Sequence, residues 1–520
     1  MIIPVTDLGK FGLAPDVPYS ELALNAWTDA RNMRFREGGV EKFSGQAEVY
    51  SGVLYPPYFL KKVSSIWVYA GLAKVGATDG SSHANITRTV GGDYSATAIA
   101  GWTGAEIEGI LVLNNGVDDP QYWSPSLAND LAVLTAWPAN TKCAAMRELK
   151  GYLVALDVTK TTTRYKDMVK WSHKAAANAL PSSWDETDET VDAGEWTLPD
   201  GGECLDLIPL GDVGIIYKNF HTWRMSYVGG IRIFDFQRLF TSFGAVNKRC
   251  AIPFLKGQHV VFTGDDLVVH DTVNVRSVLD GKAKTLLRNT IQSDRYNQAF
   301  VQVNYRAREV WLGYVERGYT LPNKALVWNW LHDTITLREI PGVPYIESDL
   351  VTTNSDLWSS SSSSWESDTG IWSDDSTDLT QRHMLMCDPA NTKLLLADSS
   401  NTFNGTAITA YVERRNLGFP LKNGAPPDFT TEKILRGIWP RIEGTSGGVV
   451  TVYVGSQDKV NGTITWDSGS SYTIGTSDFL DVLVAGRMFA LKFQSTTNIS
   501  WKLSGYDVDV KPIGSKAVSR

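Results

Sequence analysis

Residues 260–270 read VVFTGDDLVVH. Two runs of β-branched and aromatic residues flank Gly264-Asp265-Asp266, residue types that favour tight turns. Neither run alternates with polar residues, so the segment predicts a hairpin whose strands are covered on both faces. The same theme recurs on either side. Residues 215–225, IIYKNFHTWRM, reverse near Lys218-Asn219, and 325–337, ALVWNWLHDTITL, reverse at His332-Asp333. Further runs are VSSIWVYA at 63–70, IEGILVLN at 107–114 before the turn Asn115-Gly116, YLVALDV at 152–158, VWLGYV at 310–315 and the apolar run 394–397. Helical periodicity is scarce; Glu21–Phe35 and Ala139–Glu148 are the best short candidates.

The expectation is an all-β chain. Paired strands over 52–405 with no intervening helices favour a β-propeller, which buries each sheet against its neighbours and leaves only short edges. The strand groups suggest about six to seven blades, not necessarily a complete set. Residues 353–380 form a Ser/Trp/Asp-rich insert in which Trp358, Trp365 and Trp372 recur every seven residues. Ser, Asp and Gly between them are poor helix formers, so the insert reads as a loop that docks its tryptophans on a neighbouring surface. Residues 406–520 read as a C-terminal β-sandwich of longer, alternating strands. Residues 1–51 read as an N-terminal arm. Propeller ends emerge near each other, so the arm is expected to pack with the sandwich into one base.

Composition excludes several classes. The 520 residues are 43% hydrophobic and 20% charged, ordinary for a globular protein with a sizeable core. No window is apolar enough to span a membrane as a helix. The opening is polar and turn-rich, which argues against a secretory leader. The cysteines at 143, 204, 250 and 387 form no CxxC pair and read as buried free thiols. Charge is uneven. Between Lys174 and Lys218 lie ten acids and no base, among them Asp185, Glu186, Asp188, Glu189, Asp192 and Glu195. Nine more fall between Arg338 and Arg382, again with no base. Without those 19 acids the chain of net charge −8 would carry +11. Two acidic blocks on a basic body suggest surfaces with different tasks, or two solvated loops.

Catalytic signatures are weak. Gly444 to Gly448 fits GxSxG, but another strand follows where that motif needs a helix, and no His lies beyond His383. Asp368-Thr369-Gly370 falls in the Ser-rich insert. His259 and His270 flank one hairpin and suit a hydrogen-bonded structural role better than metal ligation. No metal site, cofactor site or catalytic residue is assigned. Tryptophan–acid neighbours such as Glu195-Trp196 keep open a glycan-binding or glycan-hydrolysing role.

Residues 19–45 read YSELALNAWTDARNMRFREGGVEKFSG. With Leu210–Gly230, Gly257–Asp271, the tryptophan repeat, Arg487–Phe493 and Trp501–Gly505, this stretch resembles the tail nozzle proteins of short-tailed bacteriophages, also called tail tubular protein B. The resemblance implies a non-enzymatic virion protein of the tail, assembled in the host cytoplasm. It implies a ring, usually a hexamer, with a propeller and a β-rich base around a channel that retains the genome and conducts it out. Implied partners are further copies of the chain, the tail adaptor, tail fibres or spikes, and double-stranded DNA passing without sequence-specific contacts. On that reading the arm, with Trp27, Arg31, Arg34, Phe35 and Arg36, is the candidate assembly interface, because aromatics and Arg are common anchors. Packing of Trp27 and Phe35 on their own sandwich is the alternative. Asp185–Glu195 is the candidate channel-facing segment, since an acidic lumen repels a sliding duplex. A host propeller scaffold unrelated to phage is the third reading.

Overall fold

The computed structural model describes residues 1–18, 21–98, 101–230, 232–351, 382–422, 425–460 and 462–514. The docking loop with Trp358, Trp365 and Trp372 lies outside the described residues. Strand accounts for 50% of the chain and helix for 3%, so the all-β expectation holds.

Six four-stranded antiparallel blades follow one another, and a six-stranded sheet forms the seventh blade. Their first strands are Phe59–Val63, Thr103–Ile107, Thr141–Leu149, Cys204–Leu210, Ala251–Pro253, Phe300–Asn304 and Ile346–Asp349. From the second blade on, each first strand touches the next, and the seventh touches the first, which closes the ring. Residues of all seven line one axial cavity of about 410 Å3. Residues 260–270 lie in a hairpin formed by His259–Phe262 and Leu267–His270, and all eight strand residues are buried. Blades cover both faces of such strands, which is why the sequence shows continuous apolar runs there.

The seventh blade is completed from the far end of the chain. Ile346–Asp349, His383–Asp388 and Lys393–Ser400 are followed in the sheet by Gly45–Val49, paired from Leu394↔Val49 to Ser400↔Gly45. The propeller therefore begins at residue 45 rather than near 52, and the hairpin Thr402–Phe403/Thr406–Ala407 still belongs to its last sheet. Non-covalent closure joins the two ends of the ring across some 350 residues.

Two six-stranded sheets form the second body. One combines Ile2–Thr6, Met33–Arg36 and Gly39–Lys42 with Trp501–Gly514, Glu432–Gly444 and Leu480–Gly486. The other combines Asp29–Arg31 with Ala410–Leu417, Met488–Ser495, Val449–Gln457, Thr465–Trp466 and Ser470–Thr473. Each sheet has one buried face. Trp501–Gly514 accordingly alternates, with Trp501, Leu503, Tyr506, Val508 and Val510 in the core. The arm is thus woven into the sandwich.

Two expectations are corrected. Glu21–Phe35 is not helical; it holds the strand Asp29–Arg31 and most of Met33–Arg36, each pairing within the sandwich. Ala139–Glu148 is not helical either, because Thr141–Leu149 is the first strand of the third blade and pairs with Tyr152–Lys160. The described helices are Lys284–Thr290 and a 3-10 turn over Ser293–Gln298.

Candidate functional site

Three places gather the residues singled out in the sequence. The first is the junction of arm and propeller. Asn32 donates its backbone N–H to Leu337 O at 3.0 Å, and Glu339 N–H donates to Asn32 Oδ1 at 2.8 Å. These bonds lay the arm along the outer strand of the sixth blade, Thr334–Glu339. Asn32 holds φ +56°, a left-handed conformation that Asn tolerates better than most residues. Arg34 then points into a buried charge cluster. Its Nε and one terminal nitrogen donate to Glu309 at 2.7 and 3.1 Å, and that terminal nitrogen also donates to Asp398 at 2.5 Å. Arg338 donates to the other Asp398 oxygen at 2.8 Å and to Ser44 O at 3.0 Å. Both guanidinium groups lie over the Phe43 ring, Arg34 at 4.3 Å and Arg338 at 4.9 Å. Burial alone would favour the neutral acid at Asp398, but Arg34 and then Arg338 outweigh it and hold the carboxyl at about 2.

This geometry corrects the expectation for the arm. Trp27 and Phe35 are 1% and 2% exposed and belong to the sandwich core. The Trp27 indole donates to Leu8 O at 2.9 Å and meets Phe493 edge-on. Arg34 is consumed by Glu309 and Asp398. These three are anchors within the chain and offer nothing to a second subunit. Arg31 pairs with Glu339 and Arg36 with Glu41, and both remain partly exposed.

The second place is the acidic block. It follows the third strand of the third blade, Thr163–Trp171, and ends on its outermost strand, Gly194–Thr197. It therefore lies at the blade's outer edge, away from the propeller axis. Two of its six carboxylates are matched by lysines. Lys170, 1% exposed, holds both Glu186 and Glu195, and Lys160 donates to the same two carboxylates at 2.8 and 2.6 Å. The Glu186 carboxyl feels burial first, but Lys160 and Lys170 outweigh it and hold it at about 2. Asp192 accepts from the Tyr152 hydroxyl at 3.0 Å. Asp185, Asp188 and Glu189 stay exposed. Asp185 and Asp188 each accept from the backbone and hydroxyl of the Thr two residues on, which fixes the turns but leaves their charge in solvent.

The third place is the contact of blades four and five. The Tyr217 hydroxyl lies 2.7 Å from His259 Nδ1 and 2.7 Å from His270 Nε2. His259 Nε2 faces Pro209 O at 3.0 Å, and a carbonyl can only accept, so His259 carries its proton on Nε2. Tyr217 must then donate to His259 Nδ1 and accept from His270 Nε2. His270 Nδ1 is left to accept from Thr272 N–H at 3.4 Å. Both rings are neutral in this arrangement, which is the hydrogen-bonded structural role expected of them. Burial pushes both imidazoles down to about 4, with His259 adding to the effect at His270.

Other sequence signals resolve simply. The GxSxG match at Gly444–Gly448 is a turn between Glu432–Gly444 and Val449–Gln457, with strand on both sides. All four cysteines are free and buried. No helix among the described residues is long and apolar enough to cross a membrane.

No protein family and no curated protein matches this sequence. Solved structures with the same kind of fold include the WD40 β-propeller domain of Doa1, at 6% identity and TM-score 0.38, covering 68% of this chain and 96% of that one. The AfRom2 CNH domain aligns at 8% identity and TM-score 0.36, over 67% of this chain and 96% of its own. The WD40 domain of Neurospora crassa Pan2 aligns at 10% identity and TM-score 0.27, over 76% of this chain and 94% of that one.

Proposed function

We propose that the chain is a non-enzymatic tail nozzle protein of a short-tailed bacteriophage, a ring component that retains the genome and conducts it during ejection. The observation that carries this reading is how the two ends of the chain meet. The arm whose sequence resembles nozzle proteins is built into the sandwich formed with residues 410–514, and it clamps the propeller through Asn32 and Arg34. A propeller fixed rigidly to a β-rich base is what a wedge of a closed ring requires. Heterologous interfaces close only if each subunit holds its angle. The exposed acids Asp185, Asp188 and Glu189 at the outer edge of the third blade suit a bore formed between subunits, where negative charge keeps a duplex from sticking. Copies of the chain, a tail adaptor and fibre or spike proteins are the proposed partners, and the virion tail, assembled in the host cytoplasm, is the proposed location. Mass measurement in solution and negative-stain imaging test the reading. Six-membered rings with a central hole, alone or on adding purified tails that lack the protein, are expected. A chain that stays monomeric and never joins such tails would defeat it.

One observation favours a second reading. Trp196 is 47% exposed beside Glu195, stacked parallel to Phe236 at 6.3 Å, and the solvent-exposed Arg232 guanidinium lies 5.6 Å from its ring centre. Such an aromatic platform suits the apolar face of a sugar. Hydrolysis is poorly served there, because the neighbouring Glu186 is held ionised by two lysines and cannot donate a proton near neutrality. Binding of host surface polysaccharide that is lost in Trp196→Ala would support this reading; no binding would remove it.

A further inference from the structure

The connection between the fourth and fifth blades, residues 241–250, carries Lys248 and Arg249 to the wall of the axial cavity, beside Arg147 of the third blade. The same two side chains line a second cavity of about 340 Å3 between blades three, four and five. The charges here do not balance. Arg147 is matched by the fully buried Asp206, to which it donates at 2.7 and 2.9 Å. Lys248 donates to a neutral acceptor, Ala144 O, at 2.9 Å. The Arg249 guanidinium lies over the Tyr345 ring at 5.2 Å. No carboxylate among the described residues forms an ion pair with either one. The acids on the same walls are committed elsewhere. Glu347 accepts from Lys61 at 3.2 Å and from the Tyr345 hydroxyl at 2.9 Å, while Asp157 and Glu203 both hold Arg164.

Three adjacent cations thus share one buried carboxylate, a costly arrangement for buried charge. Lys248 registers the cost: burial first, then Arg249 and Arg147, push its ammonium down to about 7. Both side chains line the two cavities, although the Arg249 guanidinium also packs against the Gly101 backbone. A guanidinium fork beside an ammonium matches the geometry and charge of a tetrahedral dianion better than that of a single carboxylate. The axial cavity has room for such a group with a short substituent.

We propose that Lys248 and Arg249 form a binding site for a phosphate group, either inorganic phosphate or a small phosphate monoester, at the propeller axis. The site is independent of the tail reading and does not involve the acidic edge.

The test titrates the full-length chain with sodium phosphate, with chloride adjusted to constant ionic strength, and follows thermal unfolding and the phosphorus-31 line width. A saturable rise in melting temperature of about 2 °C at a hundredfold excess over the midpoint is expected, with broadening of the phosphate signal. The double variant Lys248→Met/Arg249→Met should lose the saturable rise while melting no lower than the parent without phosphate. A rise of equal size in parent and variant, or no saturable rise in the parent, overturns the proposal. Should the double variant not fold, the single variant Lys248→Gln is expected to weaken phosphate binding at least tenfold, and unchanged binding overturns the proposal. Methyl phosphate distinguishes the two sources. A midpoint like that of inorganic phosphate assigns the site to a monoester, and exclusion of the methyl ester assigns it to the free anion.

Discussion

Arg34 and Glu309 lie 275 residues apart in sequence, yet the Arg34 guanidinium grips the Glu309 carboxylate with two hydrogen bonds inside the protein. The contact ties the N-terminal arm to the sixth blade, and through Asp398 it also reaches the seventh. Removing one partner strands a buried charge, which costs more than the pair itself contributes. Arg34→Met is therefore expected to destabilise the fold by about 3–5 kcal/mol, and Glu309→Leu by a similar amount. Pairing Arg34→Met with Glu309→Leu should recover part of the loss. Urea unfolding of the three variants measures this; a fully additive double variant would contradict the coupling.

Acid should dismantle the same cluster in a defined window. Asp398 is held at about 2 against an ordinary 3.8. Its contribution is complete above pH 3.8 and is lost as pH falls through 2, and it amounts to roughly 2 kcal/mol. In Asp398→Asn that slope should vanish. Stability measured from pH 5 to pH 2 in parent and variant gives the answer, and parallel curves would exclude Asp398 as the source.

The Tyr217 relay predicts a separate, earlier loss. His259 and His270 sit at about 4 in the folded chain against an ordinary 6.5. The unfolded chain takes up protons first, so stability is full above pH 6.5 and declines as pH falls toward 4. The drop is of order 3 kcal/mol per ring before coupling between them. Tyr217→Phe removes the donor to His259 Nδ1 and the acceptor for His270 Nε2 together. It should cost about 2–4 kcal/mol at pH 7.5, while the slope between pH 6.5 and 4, which burial of the two rings sets, should remain. A His259→Gln/His270→Gln protein with the parent's pH profile would place the proton uptake elsewhere.

The hairpins were legible because their turns are marked and their strands are covered on both faces. Gly264-Asp265-Asp266 and His332-Asp333 sit where the chain reverses. The first strand of the third blade was not legible. TKCAAMREL is rich in Ala, Met, Arg, Glu and Leu, all good helix formers, and only its pairing with Tyr152–Lys160 makes it a strand. The arm failed in a similar way, since Asp29–Arg31 becomes a strand by pairing with residues 411–413, far along the chain. Arg34 looked like a surface anchor because its partners lie hundreds of residues away. The acidic block looked uniformly exposed because Lys160 and Lys170, which neutralise Glu186 and Glu195, lie just before it in sequence. The charge imbalance around Lys248 leaves no local trace at all.

Closure of the ring by Gly45–Val49 makes the propeller depend on the arm. A chain starting at residue 51 lacks the fourth strand of the seventh blade and exposes the edge of Lys393–Ser400, whose Leu394, Leu395 and Ala397 are buried in the intact protein. Unpaired apolar edges recruit other chains. The truncated protein should elute as large aggregates on size exclusion, and adding a synthetic peptide of residues 40–51 should reduce them. A truncated chain that stays dispersed with an unchanged melting temperature would show that closure is dispensable.

The exposed acids of the third blade provide the sharpest discrimination for the conduit reading. Asp185, Asp188 and Glu189 make turns or face solvent without packing on the body, so changing their sign should leave the fold intact. Substituting all three with Lys places up to three new phosphate contacts per subunit wherever the edge faces DNA. Each contact steepens the dependence of binding on salt by nearly one unit in the logarithmic slope. If the edge lines the bore, particles carrying the triple variant should assemble at normal yield but eject slowly at low salt, and recover as salt is raised. Glu186 and Glu195 serve as the control, because Lys170 and Lys160 already consume them and their loss perturbs the blade instead. Ejection at the parental rate from 50 mM to 300 mM salt, spanning a regime where such contacts change affinity by orders of magnitude, would put this edge on the outside of the ring, roughly as strongly as imaging would.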